Sequence, residues 1–180
     1  MYKDIAILYR NHQISNNFEK ELVKNQIPYH MLGSLSFLKH KEIKIIIKNY
    51  HFFKYHDDIR LKEIYNIPNR KIGETTFFNI EREAISKGVS VYHQMLESDN
   101  EHIKEFVKKI SILEKYILQD EPHEFIKRLL SEIKYNDYLL RQEKAKIKLD
   151  RMFEFIKMFE DIKITDNPFQ ETLEFLNQIN

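Results

Sequence analysis

The sequence predicts a mainly α-helical protein with a short strand–helix–strand unit at its N-terminus. Three observations predict it. Apolar residues recur at helical spacing almost without interruption from Lys39 onward. Two apolar runs, Ile5 to Tyr9 and Ile27 to Gly33, flank one helical stretch near the start of the chain. Helix start and stop signals, Asp57-Asp58, Gly88, Pro122 and Pro168, punctuate the stretch from Lys39 onward.

Taken in order, Ile5-Ala6-Ile7-Leu8-Tyr9 reads as a buried strand. Ser15 to Asn25 reads as a helix through Phe18, Leu22 and Val23, and Ile27 to Gly33 as a second strand. A strand–helix–strand succession of this length is a βαβ unit, whose strands run parallel. Two strands are too few for a stable sheet, so the unit reads as the edge of a larger α/β domain. Lys41 to Tyr55 places Ile43, Ile46, Ile47, Tyr50 and Phe53 on one helical face. Asp57-Asp58 caps the next helix, which carries Ile59, Leu61, Ile64 and Tyr65. A helix starts after Gly73 and ends at Lys87-Gly88. Val91 to Leu96 is a short helix, and His102 to Leu118 a long one. Pro122 opens a helix that runs to about Leu140. Lys146 to Ile162 and a helix opened by Pro168 complete the chain.

Composition narrows the function. The formal net charge is +1, so no global basic field calls for a polyanion. Locally the balance differs. From Lys39 to Lys71 there are 9 cations and 4 anions, a net +5, leaving −4 for the remainder. A basic face on a neutral protein fits a phosphate-contacting patch, and equally a solvated helix face. There is no cysteine, which excludes disulfides and thiolate metal sites. No pair among the 8 histidines has the i,i+4 spacing that puts two imidazoles on one helix face, so no metal site is expected. No apolar run reaches the roughly 18 residues of a membrane span, and the N-terminus shows no signal-peptide pattern. A cytoplasmic location and no membrane partner are the expectation.

The stretch that carries most chemistry is Asn66-Ile67-Pro68-Asn69-Arg70-Lys71-Ile72-Gly73-Glu74-Thr75-Thr76. It joins two helices. Its glycine lets a backbone approach closely, its cations sit beside a helix N-terminus, and such an N-terminus attracts anions. The expected ligand is a nucleic-acid phosphate, contacted by Asn69, Arg70, Lys71, Gly73, Thr75 and Thr76. An ordinary interhelical turn reads the same way from these residues alone.

The order of landmarks adds a resemblance. Asp4-Ile5-Ala6-Ile7-Leu8-Tyr9-Arg10 is followed by Ile27-Pro28-Tyr29, Gly33, Phe37 and Glu42-Ile43-Lys44. Asp57-Asp58 comes next, then Asn66-Ile67-Pro68 with Arg70, Ile72 and Gly73. This series resembles the UvrD/PcrA/Rep family of superfamily 1 DNA helicases, in the second RecA-like domain and its inserted helical 2B subdomain. The resemblance implies residues 1–52 as a partial RecA-like (2A) segment and 53–180 as a helical 2B-type subdomain. It implies single-strand DNA contacts at Arg10 and His12, the latter standing where the family has asparagine. It implies a duplex-gripping turn at Asn66 to Gly73, with Lys71 in place of the first glycine of the family's Gly-Ile-Gly. His40 and Ile45 depart from the family pattern around Glu42-Ile43-Lys44, and Asn16 stands where an arginine is usual.

No G-x-x-x-x-G-K-[ST] loop occurs, since the only glycines are Gly33, Gly73 and Gly88. The chain is therefore expected to be a helicase fragment without motor activity and without a catalytic residue or cofactor of its own. ATP, magnesium and 3′→5′ movement in DNA repair or replication are implied for the parent enzyme only. The expected partners are DNA, mainly through its phosphates, and the remaining helicase domains, with self-association through the open strand edge. The alternative is a helical protein-interaction module without significant DNA affinity.

Overall fold

Helix α2 (Lys41–Tyr55) organises the core, because its sequence is apolar on nearly every inward-facing position. Ile43, Ile46, Tyr50 and Phe52 are almost fully buried, and Phe53 joins them. The Tyr50 and Phe53 rings meet Phe125 edge-on, at centroid distances of 5.2 and 5.6 Å. Phe52 meets Tyr92 in the same manner at 5.6 Å. Edge-to-face aromatic pairs of this kind add about 1 kcal/mol each beyond the area they bury. The structure is a computed structural model that describes residues 2–10, 12–25, 27–30, 37–160 and 172.

Around α2 run α1 (His12–Lys24), α3 (Asp58–Ile64), α4 (Glu74–Lys87), α5 (Val91–Leu96), α6 (Glu101–Tyr116), α7 (Pro122–Glu132), α8 (Tyr135–Leu140) and α9 (Ala145–Glu160). The predicted caps are in place. Asp57 accepts the Arg60 N–H at 2.8 Å, and Asp58 reaches across to the Val91 N–H that opens α5, also at 2.8 Å. Gly88 ends α4 at φ 67°, a left-handed conformation that glycine adopts without a Cβ penalty. Ser90 and Asn100 cap α5 and α6. Pro122 sits in the first turn of α7, where its missing N–H has no helical partner to lose. The mainly α expectation is met throughout the described residues. No helix among them is long and apolar enough to cross a membrane.

Two expectations need correction. The described residues form no strand. Ile5 to Tyr9 and Ile27 to His30 are irregular, and Met31 to Gly33 lie outside the described residues. A strand exists only through the ladder that pairs its N–H and C=O groups, and neither segment supplies one to the other. Ile5, Ile7 and Leu8 are instead exposed, Leu8 at 95%. The single helix expected from Pro122 to Leu140 is two, divided at Lys134 with φ 54°. In one continuous helix Tyr135 would fall about half a turn away from Ile126 and Leu130. The break rotates Tyr135 and Leu139 back into the core, where both are buried. The helix read from Ser15 to Asn25 is in place as α1. It turns Ser15 and Glu19 inward, and Phe18 is 42% exposed. Glu19 accepts from the Tyr29 hydroxyl at 2.6 Å, and Lys20 pairs with Glu154 of α9 at 2.6 Å. The helix opened by Pro168 lies outside the described residues, apart from the buried Thr172.

One ion pair crosses the core. Glu42, in the first turn of α2 and 4% exposed, accepts from Arg151 of α9 at 2.9 Å. Residues 52 and 53, the expected domain division, fall within the unbroken length of α2.

Candidate nucleic-acid interface

The turn between α3 and α4 is built from its own side chains. Asn66 Oδ1 accepts the Arg70 N–H at 2.7 Å, closing the first half. Asn69 Oδ1 accepts the Lys71 N–H at 2.8 Å in an Asx-type turn. Ile72 is buried and pins the turn to the core. The Tyr65 ring stacks on Phe77 at 4.1 Å, so the end of α3 and the start of α4 are joined behind it.

Arg70 faces inward. Its guanidinium donates to the Ile64 carbonyl at 2.8 Å and to the Tyr65 carbonyl at 2.9 Å. It also lies 5.0 Å above the Phe106 ring of α6. Burial pulls its pKa down to about 10, with Glu105 acting in the opposite sense, so it stays charged at neutral pH. It caps the Tyr65 carbonyl just past α3 and adds a second donor to the Ile64 carbonyl, which also accepts the Ile67 N–H at 3.1 Å.

Lys71 is the outward cation. It is exposed, has no ion pair among the described residues, and holds φ 61°. A left-handed conformation costs an L-residue about 1–2 kcal/mol. The resemblance assigns this position to glycine, which takes that conformation freely. Lys71→Gly is therefore expected to raise stability by about 0.5–1 kcal/mol. A higher urea midpoint at unchanged m-value is the readout. An unchanged or lower midpoint would show that the lysine stem packs in a way that offsets the strain.

Gly73 is the N-cap of α4, at φ −66° and ψ 158°. Any residue can adopt that backbone, so a positive φ is not the reason for glycine there. A Cβ built at Gly73 meets nothing within 4 Å. The side of the turn at Gly73 is thus open, and α4 begins without a side-chain cap. Its first amides stand beside exposed Thr75 and half-buried Thr76, with the exposed carboxylate of Glu74 among them. An anion entering here meets backbone donors, the helix dipole and Lys71, opposed by Glu74.

The turn brings together Asn69, Lys71, Gly73, Thr75 and Thr76, and turns Arg70 away from them. Arg10 and His12 lie on a different part of the chain, Arg10 exposed and His12 opening α1. Sequence reading overlooked Asn66 as the residue that shapes the turn. An Asn four residues before a backbone amide it can reach was the available signal.

Comparison with known proteins places the whole chain in one family. Residues 1–180 match the family described as UvrD-like helicase C-terminal domain. The chain is 26% identical to an ATP-dependent DNA helicase PcrA of Staphylococcus aureus (strain Mu50), over 99% of this chain and 26% of that protein. It is 27% identical to a PcrA of Staphylococcus epidermidis, with the same coverage. It is 29% identical to the ATP-dependent DNA helicase srs2 of Schizosaccharomyces pombe, over 89% of this chain and 20% of that protein. The chain spans about a quarter of the length of these relatives or less.

Proposed function

Because this chain belongs to the UvrD-like helicase C-terminal domain family, we propose that it is the duplex-engaging part of an ATP-dependent DNA helicase. The α3–α4 turn would seat a backbone phosphate of the duplex. The observation that carries this reading is the open side at Gly73, where a Cβ has no neighbour, beside the outward Lys71. In this reading residues 53–180 form a 2B-type subdomain, and 1–52 belong to the 2A domain, with α2 shared between them. Arg70 shapes the turn from within, and Lys71, Asn69, Thr75, Thr76 and the amides after Gly73 face the DNA. Arg10 and His12 would serve the single strand. The chain lacks a phosphate-binding loop, so we expect no ATP hydrolysis from it alone.

The test is duplex binding by the 180-residue chain across a salt series. Non-specific affinity on the order of 10⁻⁴–10⁻⁶ M is expected at physiological salt. Lys71→Ala should reduce the log–log salt slope by about 1 unit. Gly73→Val should weaken binding while leaving the helical circular dichroism unchanged, because the added side chain enters open space. If both variants fold and bind duplex as the parent chain does, the turn is only a connector.

A second reading has its own support. Ile5, Ile7, Leu8, Ile14 and Phe18, all within the first 18 residues, are each exposed. Exposed apolar side chains of this kind fit contact with the remaining helicase domains, or with a second copy of the chain. Under that reading the chain is an interaction module, and the salt series shows no DNA binding.

A further inference from the structure

The outer face of α2 and the start of α3 enclose a cleft of about 340 Å³. Lys44 and Lys48, one helical turn apart, line it from α2, and Arg60 lines it from α3. The one carboxylate in the lining, Glu63, is held by Lys48 Nζ at 2.8 Å. Arg60 shares its charge with the Asp57 cap. Lys44 is exposed and has no ion pair among the described residues. Beside these cations the cleft carries Ile59, 75% exposed, and His51. The Tyr55 ring, about half exposed, adjoins it. The Arg60 guanidinium stacks 4.7 Å from the Tyr55 centroid, and the His51 ring lies 6.3 Å away.

Cations alone would suit any polyanion. Cations against a flat aromatic–guanidinium platform and a bare aliphatic side chain suit one that also offers a π face. A duplex keeps its bases stacked inside and presents phosphates and groove edges, whereas an unpaired strand presents phosphate and base together. An acidic peptide would use the lysines and leave Ile59 and Tyr55 unused. The volume lies near the lower bound of small-molecule sites, about 300 Å³, the scale of a single nucleotide.

We propose that this cleft seats one nucleotide of a single DNA strand, with its phosphate on Lys44 and Lys48 and its base on the Tyr55–Arg60 platform beside Ile59. The inference rests on the reading that the chain binds DNA, and adds a strand site apart from Arg10 and His12 and from the duplex-facing turn. Loss of the stacking ring together with a phosphate contact should weaken strand binding about tenfold or more.

The experiment uses the full 180-residue chain and three probes at about 50 mM salt, where phosphate contacts count most. The probes are oligothymidine, a blunt duplex and a poly-glutamate peptide. Lys44→Ala with Tyr55→Ala changes only exposed side chains, and circular dichroism checks that it folds. This double variant should lose about tenfold or more in affinity for oligothymidine, while duplex binding stays within about twofold. Lys71→Ala should do the reverse. Oligothymidine binding that is absent, or unchanged in the folded double variant, overturns the proposal. So does a double variant that loses only poly-glutamate, which would assign the cleft to an acidic protein segment. If Lys71→Ala leaves duplex affinity intact while the double variant loses the strand, the turn reading fails and the cleft stands.

Discussion

Arg151→Ala is expected to lower the stability of the chain by about 3 kcal/mol, the lower end of the range for breaking a buried ion pair. Its partner Glu42 is 4% exposed, whereas the Arg151 side chain keeps 30% of its surface in solvent. That exposure is why the lower figure applies. The loss arises mainly because a carboxylate remains inside without its partner, and only in part from the missing attraction. Replacing both residues together, Glu42→Leu with Arg151→Leu, should therefore recover most of it. Denaturant titrations of the three variants decide the matter. A single-variant loss below about 1 kcal/mol, in the range of a surface pair, would falsify the account.

Arg70→Ala should cost about 2–4 kcal/mol and loosen the turn before it unfolds the protein. The variant strips two carbonyls at the end of α3 of a charged donor and removes the cation above Phe106. Its effect on duplex affinity should follow from a disordered turn rather than from a lost phosphate contact. The salt slope then stays near that of the parent chain while affinity falls, opposite to the expectation for Lys71→Ala. Hydrogen exchange of the backbone amides at positions 70 and 71, which rest on Asn66 and Asn69, should accelerate first. A flattened salt slope with unchanged exchange would assign Arg70 to the DNA after all.

Much of the fold was legible because its signals are local. Ile43, Ile46, Tyr50 and Phe53 repeat at the helical period, and Asp57, Gly88 and Pro122 punctuate where their backbone preferences require. The division at Lys134 was not legible. Ile133, Tyr135 and Leu139 are all apolar, and only the position of the core decides that the helix must turn between them. The run Ile5 to Tyr9 shows the converse. Its composition suits a strand, but a strand is a property of two chains of atoms, and composition describes one. On α1 the helix was legible, but the inward turn of Glu19, satisfied by Tyr29, was not. At the candidate site the turn itself was readable from Pro68, Asn69 and Gly73. The direction of Arg70 was not, because a long side chain goes where carbonyls and an aromatic ring await it, and those belong to Ile64, Tyr65 and Phe106.

Helix α2 is fastened at both ends. Glu42 in its first turn is tied to Arg151 of α9, and His56 just past its last turn meets Glu114 of α6 at 2.9 Å. Its 15 residues make a rod about 22 Å long. Displacing α2 therefore means breaking a tie to α9 at one end or a tie to α6 at the other.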